Sequence, residues 1–542
     1  MRSIALFSLA VLLAGPASAE SPDFSADAFK AHVDFLANDL LEGRDTGSRG
    51  HRIAAAYVAS EFEALGLKPG GENGGWYQEV PFRSATLGAV KPEVTISGPA
   101  GTRTWANATD VIVRASLADL VQDVTAPVVF VGYGVDAPKQ GMDDYRGLDV
   151  RGKIVAVLSG MPGDLPSELA AHFGDEKAAM AERRGAIGMI TLPTEQSDKA
   201  SPWAKRLQYV DTPRLTWLDK AGKPYDEAPG LIIGASLGTP AAETLFAGAA
   251  QGYAAVRAQA AKPGTHPKGF ALKTTIRIRR TSVWSTMTSP EVAAILPGSD
   301  PKLAGETVVL MAHLDHLGIK KDAKPGEDAI FNGALDNAAG TATMLEVARA
   351  LATGPEKPRR SVMFIANTAE EKGLLGADYF AHYPTVPIGS IVGLVDLDMP
   401  LLLYDFKDVI AFGAEHATVA DTVAKAAGEM GLRLSPDPMP EEGIFTRSDH
   451  YMFVRQGVPA IMLATGFANG GDKAWGGFLS GNYHSVRDDM SQPILWDQGA
   501  KFAELNYLIT RGMADADARP MWYKGDYFGD LYAPKAMKAE RK

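Results

Sequence analysis

Cysteine is absent from the 542-residue sequence. Disulfides, thiolate metal ligands and a lipid-modified cysteine behind a leader are therefore all excluded, and any metal must be held by His, Asp or Glu. A basic excess is missing too. Lys and Arg number 54 against 65 Asp and Glu, a net charge of −11, which argues against nucleic-acid binding because phosphates demand a basic face. Neutral or cationic substrates suit that balance better. No apolar run is long enough to span a bilayer.

What is present is ordinary for a globular protein: 46% apolar residues, 22% charged residues and a mean hydropathy near zero. The length exceeds one hydrophobic core, so two or more folded units are expected. Residues 1–19 read as a secretory signal. Arg2 supplies the positive start, residues 4–14 the apolar centre and Ala17-Ser18-Ala19 the small-residue cleavage site. The expected destination is the periplasm or the extracellular space, with no integral membrane segment left after removal of the signal.

Beyond the signal, residues 21–68 carry helical periodicity interrupted by a polar stretch, residues 41–48, before a second helix over residues 52–65 that closes at Gly66. This segment reads as a helical cap. From about Ala126 the pattern changes to short β-branched runs, residues 126–133 and 153–158, followed by a helix over 176–184 and another strand-like run from Gly185. A compact α/β unit ending near Gly264 is implied, with an Ala/Gly/Pro-rich return over 258–266. After residue 268 the order becomes strand, loop, helix, repeatedly. Residues 308–312, 361–366, 391–397 and 459–464 are apolar without strict alternation, as strands buried on both faces are. Helices are expected over 338–352, 374–381 and 418–428. The fold class is α/β: a mixed, mainly parallel central sheet sandwiched by helices, with a smaller β-rich α/β insert.

Functional groups in such sheets collect just past the carboxyl ends of strands. Here those positions hold His313 and Asp315, Glu370 and Glu371, and Asp398. Asp336 sits in a loop that opens a helix, and His484 lies in Asn482-Tyr483-His484-Ser485. Each is a plausible zinc donor by type. Taken singly, a His after a strand, a Glu pair or an Asp at a helix start has an ordinary structural explanation, and it is the conjunction that carries weight. Charge favours two metals. Two zinc ions bring four positive charges, and Asp336, Glu371, Asp398 and one hydroxide bring four negative ones, with His313 and His484 neutral. That count leaves Glu370 outside the ligand set, free to serve as general base. Asp396 and Asp398 fall on the same face of their strand, so spacing does not separate them.

The segments Ala312-His313-Leu314-Asp315-His316, Leu335-Asp336-Asn337, Glu370-Glu371, Leu397-Asp398-Met399, Arg447-Ser448-Asp449-His450 and Tyr483-His484 resemble, in order and spacing, the di-zinc aminopeptidases of peptidase family M28. The resemblance covers residues 268–500, and a stretch over 30–82 is also similar. It implies that Asp336 bridges two zinc ions, that His313 and Asp398 complete one site, and that Glu371 and His484 complete the other. It implies Asp398 rather than Asp396, because the ligand directly precedes Met. It also implies Glu370 as base, Asp315 as the carboxylate that orients a ligand histidine, and Tyr483 as an oxyanion donor. His316 and His450 match no ligand position and read as supporting or surface residues. One departure is visible: Ser289-Pro290-Glu291-Val292 stands where the family usually has Asn before the strand that opens the catalytic part, which puts one local hydrogen bond in doubt.

Residues 111–265 resemble a protease-associated domain, carried by residues 144–155 and 185–188. The chain then divides into signal peptide 1–19, N-terminal part of the peptidase domain 20–110, insert 111–265 and catalytic domain 266–542. The expected activity is removal of N-terminal residues from peptides, because a carboxylate-rich cleft attracts a free ammonium. A carboxypeptidase of the same fold, for which Arg447 and Arg487 are candidate carboxylate binders, stays open. So do a catalytically inactive receptor-like binding module and a single-zinc acyltransferase such as a glutaminyl cyclase. Oligomeric state is not legible.

Overall fold

The short apolar runs between Gly, Pro and Asp clusters become the centre of a large sheet. All seven residues of the strand Thr307–His313 are buried, as are all seven of Ser361–Asn367 and all six of Ile391–Asp396 and Ala460–Thr465. Strands with no exposed face need cover on both sides, which explains why they read as continuous hydrophobic runs rather than alternating ones. The computed structural model describes residues 22–541, and the signal expected over residues 1–19 lies outside the described residues.

Ser361–Asn367, Thr307–His313, Ile391–Asp396 and Ala460–Thr465 pair in parallel in that spatial order. The margins are antiparallel. Phe270–Leu296 flanks Ser361–Asn367, and Asp408–Phe412 flanks Ala460–Thr465. The sheet is thus mixed and mainly parallel. The helices Ala26–Leu36, Ala339–Thr353 and Trp496–Asp515 pack on one another and on this sheet. A second group, Leu375–His382 and His450–Val454, packs beside Ile391–Asp396 and Ala460–Thr465.

The N-terminal helices are sequence-coded at their starts and on their inner faces. The Ser25 hydroxyl accepts from the Ala28 amide at 3.3 Å, and the Ser48 hydroxyl accepts from the His51 amide at 3.1 Å, each satisfying a donor the helix itself leaves open. Phe29, Val33 and Leu36 point into the main core, and burial of each is worth about 1.5–3 kcal/mol. This segment is therefore a layer of the main body as well as a cap on it.

A second core gathers Val94, Phe130, Ile154, Ile190, Leu237 and Ile278 among others. It draws on residues to either side of 111–265. Its centre is a parallel set, Val121–Phe130, Ile154–Leu158, Gly188–Leu192 and Ile233–Leu237. The helix before Gly188 begins at Ser167 rather than near Glu176, because Gly174 hides its first half from a reading by propensity.

A long strand runs through both cores. Phe270–Leu296 runs for 27 residues, about 90 Å of extended chain. Its first half pairs with Val121–Phe130 and Glu93–Gly98, and its second half with Tyr77–Leu87 and Ser361–Asn367. Such continuity couples the insert mechanically to the main sheet. Pro290 lies within it, where the family resemblance implies a strand opening afresh.

Candidate metal centre and catalytic site

Three strand ends and two loops deliver the cluster. His313 is the last residue of its strand, Glu370 and Glu371 follow Ser361–Asn367, and Asp398 follows Ile391–Asp396. Parallel pairing puts these ends at one edge of the sheet. Asp336 comes from the turn before the helix Ala339–Thr353, and His484 from the turn after the helix Gly471–Gly481.

At the centre, Asp336 offers one oxygen to His313 Nε2 at 3.3 Å and the other to His484 Nε2 at 3.4 Å. His313 Nε2 also lies 3.1 Å from Asp398 Oδ1, and His484 Nε2 lies 3.1 Å from Glu371 Oε2. The five side chains named as ligands from sequence thus form one cluster. His313, Asp336 and Asp398 have donor atoms mutually within 4.8 Å, and so do His316, Asp336 and Glu371. Asp396 turns elsewhere: its carboxylate accepts from the Ser448 hydroxyl at 2.8 Å and the His450 amide at 3.1 Å.

The supporting reading of His316 and His450 holds, and one expectation, for Asp315, needs correction. His316 is fully buried, and its Nδ1 lies 2.6 Å from Glu371 Oε1, so it belongs to the cluster rather than to the surface. His450 is equally buried, beside Asp396. Asp315 was expected to steer a ligand histidine with its carboxylate. Instead its backbone carbonyl lies 3.1 Å from His313 Nδ1, while the carboxylate accepts from the Thr46 hydroxyl at 3.0 Å and the Glu370 amide at 3.1 Å. It positions the base. At the departure from the family pattern, Ser289 supplies its own bonds, accepting from the Gly47 amide at 2.9 Å and pairing with the Thr368 hydroxyl at 2.7 Å.

Two supporting residues were missed. Asp488 accepts from the Leu335 and Asp336 amides at 3.1 and 3.0 Å. Arg44 is buried and donates to the carbonyls of Leu36, Leu314, Asn332 and Gly333. Burial lowers its pKa to about 10, against the opposing pull of Asp488 and Asp336. The polar stretch 41–48 was the only sequence signal for Arg44. Asp488, four residues past His484, had none.

The electrostatics are those of a cation site. Burial disfavours charge on every member, and the carboxylates of Asp336, Glu370, Glu371 and Asp398 converge with no lysine or arginine ion-paired to them among the described residues. Burial alone would lower the His313 pKa, but Asp398 and Asp336 hold it well above the usual value. His484 is likewise raised to about 10, Asp336 and Glu371 overcoming burial. Glu371 is lowered to about 2, because His316 and His484 outweigh burial and the charge of Asp336. Glu370 goes the other way: burial raises it well above the carboxylate range, and Asp398 and Glu371 add to the rise. The His316 Nε2 atom is buried with no hydrogen-bond partner. Two imidazoles and three carboxylates that face one another, with only nitrogen and oxygen donors among them, fit zinc.

Comparison with known proteins agrees with this geometry. Residues 291–509 match the model for peptidase family M28. This segment is an M28 peptidase domain. A probable leucine aminopeptidase 2 of Aspergillus oryzae is 28% identical over 221 residues, covering 38% of this chain and 40% of that protein. Aminopeptidase Y of Saccharomyces cerevisiae is 30% identical over 171 residues, covering 30% of each. The matched stretch thus spans less than half the length of these relatives. Among solved structures, an aminopeptidase from Aneurinibacillus sp. strain AM-1 aligns over 92% of this chain and 95% of its own at 19% identity, with a TM-score of 0.49.

Two spaces open from the M28 site. One, of about 290 Å³, is largely apolar and lined by Ile410, Phe412, Met462, Phe467 and Trp475, with Asp336 and Asp398 at its inner end. The other is a cleft of about 570 Å³ leading towards the insert. Glu370, Tyr483, His484 and Arg447 border both. The Tyr483 ring stacks on His484 at 3.8 Å, and burial raises its hydroxyl pKa, keeping it a proton donor.

Proposed function

We propose that the protein is an exported metallo-aminopeptidase that holds two zinc ions and hydrolyses the first peptide bond of its substrates. The observation that carries this reading is Asp336, whose two oxygens face His313 and His484 at 3.3 and 3.4 Å with Glu370 lining the same pocket. His313, Asp336 and Asp398 would hold one ion, and Asp336, Glu371 and His484 the other, with His316 beside Glu371.

When bound, zinc supplies Lewis acidity towards water and the scissile carbonyl. The protein's own groups do the rest. Glu370, oriented through its backbone amide by Asp315, takes a proton from the attacking water and delivers it to the departing amine. The Tyr483 hydroxyl donates to the oxygen on which charge develops. The apolar pocket receives the side chain of the first residue, and Glu370 and its neighbours attract the free ammonium.

The arginines favour the amino end over the carboxyl end. Arg487 donates to the Gly481 carbonyl and to Asn482, and Arg447 pairs with Glu442 at 3.2 Å, so both candidate carboxylate binders are engaged. The names of relatives, a probable leucine aminopeptidase 2 and aminopeptidase Y, point the same way. The test compares free, amino-blocked and carboxyl-blocked peptides, with zinc measured on the same preparation. Cleavage of free and carboxyl-blocked peptides with two zinc ions per chain is expected. Activity restricted to amino-blocked peptides would favour the carboxypeptidase reading.

A further inference from the structure

The larger cleft has one wall from the M28 domain and the other from the insert, and the insert's wall is acidic. Asp175 and Glu176 come from the helix Ser167–Arg183, and Asp226 and Glu227 from the turn after the strand Arg214–Trp217. The neighbouring cations are already engaged. Arg455 pairs with Glu227 and, at 3.2 Å, with Glu176, while Arg447 pairs with Glu442. Among the described residues neither Asp175 nor Asp226 forms an ion pair, and Asp226 accepts only from the nearby Ala228 amide at 2.9 Å.

Asp175 is exposed to the cleft, beside the protein wall that carries Glu176 and Glu227. Its pKa is raised to about 6 by partial desolvation in the cleft and by Glu227, against the pull of Arg455. A carboxylate disfavoured in this way is stabilised by an arriving cation. The position matters as much as the charge. The smaller pocket is apolar and suited to the residue removed, so the remainder of the substrate must leave through the open cleft and pass between the two walls.

Resting on the aminopeptidase reading, we propose that Asp175 and Asp226 of the insert select substrates with lysine or arginine in the first two residues downstream of the scissile bond. The insert is then a specificity element. It reads the departing peptide, while the M28 pocket reads the residue that is cut off.

Steady-state kinetics of the full-length zinc-loaded protein on Leu-Ala-Ala, Leu-Lys-Ala, Leu-Ala-Lys, Leu-Glu-Ala and Leu-Ala-Glu test this. At low salt, kcat/KM is expected to be about fivefold higher for lysine than for glutamate at the second or third position, as for a partly screened ion pair. The ratio should shrink towards one in 0.5 M NaCl. In the Asp175→Asn/Asp226→Asn double variant it should fall at least twofold at low salt, and Asp175→Lys should invert it. The single Asn variants carry the test if the double variant fails to fold. Equal rates on lysine and glutamate peptides, or an unchanged ratio in folded variants, would overturn the proposal while leaving the aminopeptidase reading intact. Failure to cleave any of the five, Leu-Ala-Ala included, would overturn both.

Discussion

The carboxylate of Asp488 accepts a hydrogen bond from the backbone amide of Asp336, 3.0 Å away. Its other oxygen accepts from Leu335, so one side chain fixes the orientation of the turn that presents the central carboxylate. Burial, reinforced by the charge of Asp336, raises the Asp488 pKa to about 6. An amide in its place would turn a donor towards one of these N–H groups. Asp488→Asn is therefore expected to weaken zinc affinity about 10- to 100-fold, as loss of a ligand's supporting contact commonly does. Titration with a competing chelator measures it, and an unchanged affinity would mean that Asp488 is merely structural.

Base and ligand should separate cleanly. Glu370→Gln preserves shape but cannot accept a proton, so kcat is expected to drop about 10²- to 10⁴-fold with zinc content unchanged. Asp336→Ala removes the carboxylate shared by His313 and His484 and should lose zinc along with activity. Elemental analysis beside single-turnover rates distinguishes the two. Near-normal turnover by Glu370→Gln would remove Glu370 from its role.

Gly340 lies where the helix Ala339–Thr353 meets the loop carrying Asp398. A methyl group there would collide with the Asn337 side chain and the Leu397 carbonyl. Asn337 itself donates to Leu397 at 2.8 Å and accepts from Gly340 at 3.0 Å, tying the Asp336 turn to the Asp398 loop. Gly340→Ala should cost about 1–3 kcal/mol and lower zinc occupancy together. Thermal unfolding with and without added zinc reads both effects.

His416 links the two cores. Its Nδ1 lies 2.6 Å from Asp526 and its Nε2 3.0 Å from Glu168 of the insert helix. Burial opposes its charge, but these carboxylates raise its pKa to about 10. The folded state therefore holds a proton that the unfolded state releases above its own value of about 6.5. The resulting stability is fully present below that value and is lost as pH rises towards 10, by at most about 1.4 kcal/mol per pH unit. Wild-type Tm is expected to fall more steeply between pH 7 and 10 than that of His416→Gln. Parallel curves would show that the ring is neutral in the folded protein.

The amino-acid order by itself determined the strand positions and the donor types. Apolar runs such as 308–312 and 361–366 are buried on both faces wherever they fold, and with no cysteine in the chain only His, Asp and Glu can hold a metal. Parallel pairing then places the residues after those runs at one edge, which is why His313, Glu370, Glu371 and Asp398 could be picked out together. Tertiary structure decided whatever depends on contacts distant in sequence. Alternation does not separate Asp396 from Asp398, but the strand ends at Asp396, which the Ser448 hydroxyl and the His450 amide hold, while Asp398 beyond it faces His313. His316, Arg44 and Asp488 carry no periodic signal, because their partners lie 55, 270 and 152 residues away. The acidic wall opposite the M28 site likewise depends on long-range pairing, of Phe270–Leu296 with both cores and of Arg214–Trp217 with Tyr77–Leu87. Local pattern fixes which face a side chain takes, whereas long-range packing fixes what that face meets.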